Sequence, residues 1–221
     1  MSTPVIRVLV VDDHAVVRKG ILALLATEPG IEVVGEASTG LEAVERAESL
    51  RPGVVLMDLK LPDLDGVEAM RRIRARHPET QILVLTSFSS DALLFPAVKA
   101  GAVGYLLKDA RPEELVQAIR NSAEGKTSLT PAVARRLLAE FSQQKPLPEP
   151  AEPLTAREQG LLRELARGLS NDQIAEALHI SEATVRTHVS HILAKLNLTN
   201  RTQAALYALR QGLASLDDIF R

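Results

Sequence analysis

Between positions 5 and 123 the apolar residues alternate between two spacings. Residues 5–11 form a nearly continuous run rich in valine, the pattern of a strand buried on both faces. Residues 15–25 then carry apolar side chains at helical spacing. The alternation repeats as strand 31–37, helix 41–49, strand 54–57, helix 67–76, strand 81–86, helix 91–100, strand 103–107 and helix 113–123. Five such alternations with short connections predict an α/β fold: a doubly wound, five-stranded parallel sheet with helices on both faces.

Beyond residue 125 the strand pattern disappears. Residues 131–141 place Val133, Leu137, Leu138 and Phe141 at helical spacing, with Thr130 suited to cap the helix and Pro131 at its first turn. Four prolines fall within residues 143–153, which reads as an extended, semi-rigid spacer. Four short helices follow from their caps. Thr155 with Glu158, and Ser170 with Gln173, have capping-box spacing; Ser181 and Asn200 are positioned to open two more. The short connection around 177–181 between the second and third of these suits a small all-α helix-turn-helix domain. The expected organisation is residues 1–125, a linker at 126–153, and residues 154–221.

Candidate chemistry enters through the strand ends. In a parallel sheet the carboxyl ends share one edge, where open α/β sheets bind ligands. That edge would carry Asp12, Asp13, Asp58, Thr86, Ser87 and Lys108. Three clustered carboxylates repel one another and suit a hard divalent cation, with Mg²⁺ the natural choice. A hydroxyl and an ammonium beside them suit a phosphoryl group. Any one of these residues alone would be read as a cap or a surface charge; the complete set is what points to a site.

The chain has no cysteine, so disulfides and thiolate chemistry are excluded. Its net charge of −2 and ordinary apolar content fit a globular protein. No leader-like N-terminal pattern and no membrane-length apolar run are seen, so a cytoplasmic protein without a membrane partner is expected.

The motifs Val10-Val11-Asp12-Asp13-His14, Leu56-Met57-Asp58-Leu59-Lys60-Leu61-Pro62, Leu85-Thr86-Ser87 and Gly104-Tyr105-Leu106-Leu107-Lys108 occur in order across the first domain. It resembles the flavodoxin-like receiver domain of two-component response regulators. The resemblance implies that a sensor histidine kinase phosphorylates Asp58 and that Asp12, Asp13 and Asp58 hold Mg²⁺. It also implies that Thr86, Ser87 and Lys108 sense the phosphoryl group, with Tyr105 as the switch aromatic. Asp109 follows the lysine where receivers often carry proline, as in the NarL/FixJ branch.

In the second domain the third helix would place Val185, Val189, Ile192, Leu193 and Leu196 on one face, and Ala183, Arg186, Thr187, Ser190, His191 and Ala194 on the other. Small polar residues around one arginine could lie in a major groove, although a solvated helix face reads the same way. The domain resembles the LuxR-type DNA-binding module, from Leu154-Thr155-Ala156-Arg157-Glu158 through Gly168-Leu169-Ser170-Asn171 to Asn200-Arg201-Thr202. That resemblance implies base contacts from Arg186, Thr187 and Ser190, and phosphate contacts from Asn171, Thr184, Lys195 and Arg201. It makes His188 structural or phosphate-facing, and places the pairing of two DNA-binding domains on the fourth helix.

Residues 154–214 hold seven basic and five acidic residues, a net +2 (7 − 5). This is a modest footprint for a DNA binder, so a monomer should bind weakly. The expected function is a phosphorylation-switched transcriptional regulator that forms a homodimer on double-stranded promoter DNA, with RNA polymerase a further candidate partner. Two rivals are a Mg²⁺-dependent phosphatase with an aspartyl nucleophile and a constitutive DNA binder. The first would need two aspartates one residue apart and a cap insertion, whereas Asp12 and Asp13 are adjacent and the connections short. The expected chain is therefore not an enzyme.

Overall fold

The computed structural model describes residues 5–87, 91–143 and 152–215. The chain divides into two compact units, Met1–Ala123 and Glu124–Arg221.

The first unit alternates β1 (Ile6–Val11), α1 (Ala15–Leu25), β2 (Ile31–Ala37), α2 (Gly40–Leu50), β3 (Val54–Met57), α3 (Gly66–Arg76), β4 (Gln81–Thr86), α4 (Asp91–Lys99), β5 (Ala102–Leu107) and α5 (Pro112–Ala123). The strands run parallel in the order β2-β1-β3-β4-β5. The expected class and element order are found, with ends differing by at most one residue. Registration Val10↔Leu56↔Leu83 carries one layer of fully buried side chains across the sheet. Alternation splits the strands between two faces. Val8, Val10, Val54, Leu56, Leu83, Leu85 and Leu106 form one core with Ile21 and Leu25 of α1 and Leu115 and Ile119 of α5. Leu9, Val11, Val55 and Met57 project to the other face, where α2 packs with α3 beside it. Each fully buried leucine contributes about 1.5–3 kcal/mol, so both faces are firmly held.

The second unit opens with a two-residue strand not among the five expected, β6 (Ser128–Leu129). It continues with α6 (Pro131–Gln143), α7 (Ala156–Ala166), α8 (Asn171–Leu178), α9 (Glu182–Lys195) and α10 (Arg201–Arg210). The Thr130 hydroxyl accepts the Val133 N–H at 3.3 Å, capping α6 as its sequence suggests. Residues 144–151, which include most of the proline-rich spacer, lie outside the described residues. Both capping boxes form: Thr155 with Glu158 and Ser170 with Gln173 exchange reciprocal hydrogen bonds. Ser181 and Asn200 cap α9 and α10. Between α8 and α9 lie three residues, and His179 supplies the left-handed turn at φ 54°. The core joins Leu161, Leu162 and Leu165 to Ile174, Val185, Ile192, Leu206 and Leu209. Helix α6 packs on α10, burying Val133, Leu137 and Phe141. Among the described residues no helix is long and apolar enough to cross a membrane.

Candidate functional site

The ladder that builds the sheet continues past the strand ends and fixes the backbone of the candidate residues. Asp12 N–H donates to Ala37 O at 3.1 Å, Asp58 N–H to Val11 O at 3.0 Å, and Lys108 N–H to Thr86 O at 2.9 Å. The side chains converge accordingly. Lys108 Nζ lies 2.6 Å from Asp12 Oδ2 and 2.6 Å from Asp58 Oδ2. Asp12 and Asp58 are only 1% and 4% exposed. Their other oxygens are also occupied: Asp58 Oδ1 accepts the Leu59 and Lys60 N–H groups, and Asp12 Oδ1 accepts the His14 N–H. Burial alone would lower the Lys108 pKa. Hydrogen bonds and attraction from Asp12 and Asp58 outweigh that and raise it above the ordinary value.

Asp13 stands at the exposed rim, its Oδ1 2.6 Å from His14 Nδ1. One ligand atom each from Asp12, Asp13, His14 and Asp58 falls within 4.8 Å of the others. The three carboxylates are the hard oxygen donors that Mg²⁺ prefers. His14 was assigned no role from sequence, although it directly follows the aspartate pair. Arg18 was also missed; its guanidinium donates to Asp12 O at 2.7 Å and pairs with Glu36 at 2.7 Å. Lying one turn into α1 from His14 was its only signal.

Thr86 is fully buried, Ser87 exposed, and Tyr105 2% exposed with its ring inward. The pairing Val84↔Tyr105 and Thr86↔Leu107 puts Thr86 and Tyr105 on one face of the sheet as diagonal neighbours. Beside them an open hollow of about 420 Å³ is lined by Ser87, Leu107, Lys108 and Asp109.

The loop carrying Asp58 is clamped at both ends. At Gly66 a Cβ would collide with the Asp58 carbonyl oxygen, so only glycine lets α3 start this close. Asp63, in left-handed conformation at φ 63°, accepts the Gly40 and Leu41 N–H groups at the start of α2. Burial would raise the Asp63 pKa, but hydrogen bonds from the Thr39 side chain and from the Leu41, Leu64 and Gly40 amides lower it. Sequence reading passed over Asp63 because its partners lie on another helix.

On α9, Ala183, Arg186, Thr187, Ser190, His191 and Ala194 are all exposed, while Val185, Ile192 and Leu196 are buried and Val189 and Leu193 half-buried. The Thr187 and Ser190 hydroxyls donate back to Ala183 O and Arg186 O, both at 3.1 Å, leaving lone pairs for an outside donor. Arg186 pairs with Glu182 one turn earlier, at 2.5 Å. Thr184 and Ser181 share a 2.7 Å hydroxyl contact. His188 is half-buried on the flank of the helix.

The remaining candidates are not gathered on this face. Lys195 Nζ is 3.0 Å from Glu158 Oε2, which also belongs to the α7 capping box. Asn171 is half-buried, its Oδ1 enclosed without a hydrogen-bond partner. Arg201 turns inward and donates to Leu169 O. Burial lowers its pKa to about 10.

Comparisons with known proteins account for both units. Residues 8–120 match the response regulator receiver domain, and residues 152–208 match the bacterial regulatory proteins of the luxR family. The uncharacterized transcriptional regulatory protein YhcZ of Bacillus subtilis is 47% identical over 208 residues, covering 94% of this chain and 97% of its own. The crystal structure of ChrA, a response regulator of a heme-sensing two-component system, is 40% identical, with a TM-score of 0.53. It covers 96% of this chain and all of its own. A structure of two RcsB dimers bound to two parallel DNAs is 27% identical, with a TM-score of 0.56, and covers 93% of this chain and 98% of its own. The chain belongs to the two-component response regulators that join a receiver domain to a LuxR-type DNA-binding domain and regulate transcription.

Proposed function

We propose that Asp58 is the phosphoryl acceptor and that its modification by a sensor histidine kinase controls promoter binding by a homodimer of this chain. The carrying observation is the convergence of Asp12, Asp58 and Lys108 at one point on the carboxyl edge of the sheet. An Asp58 oxygen attacks phosphorus of the phosphohistidine; the new P–O bond forms as the P–N bond breaks, and the imidazole leaves with the bonding pair. Asp12, Asp13 and Asp58 would hold Mg²⁺, which neutralises charge on the phosphoryl oxygens when bound. Lys108 then pairs with the phosphoryl group, and the Thr86 and Ser87 hydroxyls donate to it. Burial of Thr86 beside Tyr105 lets a shift of one reach the other. Only contacts that differ between two states move such an equilibrium.

In the output domain, Arg186, Thr187 and Ser190 would meet base edges, with Asn171, Thr184, Lys195 and Arg201 toward phosphates. Dimers on DNA are seen for RcsB, and a pair of α9 helices about one helical turn apart would read two half-sites. Promoter DNA as the target also fits a cytoplasmic protein.

The test is phosphoryl transfer from a labelled phosphohistidine donor to the full chain, read alongside sedimentation. Asp58→Asn should take up no label and should not dimerise under conditions where the parent does. Label persisting on that variant would refute the assignment.

A further inference from the structure

The segment that leads from the first unit into α6 lies over the end of the output domain that holds Arg201 and Asn171. We propose that the strap 125–129 is an intramolecular cover that keeps the Arg201 guanidinium from the DNA backbone, and that its departure hands this group to a phosphate. The proposal rests on the DNA-binding function given above and adds a control to it.

Three observations carry it. First, Arg201 is enclosed but poorly paired. Its Nη2–H donates to Leu169 O, while its Nε–H is buried without a partner. Among the described residues no carboxylate pairs with it, and burial is the only cause of its lowered pKa. At about 10 it is still charged at neutral pH, so a half-buried cation stands with no carboxylate beside it among the described residues.

Second, the strap encloses Arg201 without offering its guanidinium a side-chain hydrogen bond. A Cβ built on Gly125 would sit 3.7 Å from Arg201 Nη1, so the strap backbone runs against the guanidinium. Thr127 and Leu129 share a small interior space with Gly168, Thr202 and Ala205, which anchors the strap on α7 and α10. The Thr127 and Ser128 hydroxyls are nonetheless buried without partners, as is Asn171 Oδ1. Orphaned polar groups on both sides of a contact mark a cover that can lift, since each recovers a partner on leaving.

Third, the covered groups suit an oxyanion. Arg201 is the first residue of α10 and Asn171 the first of α8, and the Leu169 carbonyl that Arg201 contacts is two residues before Asn171. A guanidinium beside two helix starts is a natural partner for a backbone phosphate. Lys126 on the strap acts electrostatically on Asp172, the next residue of α8, so the strap also places its own cation there.

Gly125 provides the handle. It sits at φ 71°, which proline cannot adopt, so Gly125→Pro should displace the start of the strap. In the unphosphorylated full chain, labelling with an arginine-specific dicarbonyl, read by peptide mass spectrometry, should be much slower at Arg201 than at exposed Arg186. In Gly125→Pro the two rates should approach each other. Binding to a random-sequence duplex should show a slope of log K against log salt about one unit steeper for Gly125→Pro than for the parent. Adding Arg201→Gln should remove that unit, and Arg201→Lys should keep it. Labelling of Arg201 as fast as Arg186 in the parent chain would overturn the cover. An unchanged salt slope in Gly125→Pro, with Arg201 freely labelled, would overturn the phosphate contact. Failure of every variant to bind DNA would instead sink the function on which this rests, and the labelling would still decide whether the cover exists.

Discussion

Lys108 and Asp58 are 50 positions apart in the chain, yet the ammonium of one lies 2.6 Å from a carboxylate oxygen of the other. The same ammonium is equally close to Asp12, so it sits where a divalent ion would draw on the same oxygens. In the proposed Mg²⁺ site, lysine and metal would therefore compete for one pair of carboxylates. Lys108→Met should leave two buried carboxylates facing each other and cost about 3–5 kcal/mol in the metal-free chain. Mg²⁺ should bind the variant more tightly than the parent and restore much of that loss. Denaturant titration with and without Mg²⁺, beside calorimetric titration of the ion, checks both; weaker Mg²⁺ binding by the variant would contradict the competition.

Gly66 lets α3 begin against the Asp58 carbonyl. Gly66→Ala should cost about 1–3 kcal/mol by overpacking. Because the strain falls on the Asp58 loop itself, phosphoryl uptake should slow by more than the lost stability explains. Uptake measured well below the melting temperature separates the two, and a parental rate would show that the loop tolerates the shift.

Glu158 joins the start of α7 to the end of α9. The Thr155 amide is the leading cause that lowers its pKa, followed among the lowering causes by Lys195 and the Thr155 hydroxyl; burial opposes them. A carboxylate with a depressed folded pKa contributes stability above its unfolded value, near 4.5, and loses it as pH falls through the folded value. The second unit should therefore weaken on acidification below about pH 4.5, and Glu158→Gln should flatten that dependence while costing about 1 kcal/mol at neutral pH. Chemical denaturation across acidic pH decides it; an unchanged profile in the variant would remove Glu158 from the account.

The three basic candidates for DNA contact are held with unequal strength. Arg186 is tied only to Glu182, an exposed pair one turn apart that contributes about 0.3–0.5 kcal/mol. Lys195 pairs with a carboxylate 9% exposed, and Arg201 is enclosed. Arg186 should thus be the most readily recruited. Arg186→Ala should cost about 1–3 kcal/mol on a specific site and relax the preference at one base position. Glu182→Gln should raise affinity slightly. A binding selection over randomised duplexes reads the first, and unaltered base preference would place Arg186 away from the base edges.

Much of this protein is determined locally. Continuous apolar runs mark the strands of the first unit and period-3.6 patterning the helices around them, because a strand covered on both faces is apolar throughout while a helix buries one stripe. The caps at Thr155, Ser170, Ser181 and Asn200 are legible because each bonds within four residues. The exposed stripe on α9 follows from helical geometry alone. Even the carboxyl-edge set of Asp12, Asp58, Thr86 and Lys108 could be collected, since a parallel sheet brings strand ends together. Tertiary structure alone decided the rest. That Lys108 binds two carboxylates rather than one, that Asp63 caps a helix 22 residues earlier, and that α6 packs on α10 are pairings between distant segments. Arg201 shows the limit most clearly. Its sequence position marks a cation at a helix start, but that its guanidinium lies against Gly125, 76 positions away (201 − 125), is a tertiary contact. Spacing along a chain encodes which face is apolar; it does not encode which distant segment comes to cover it.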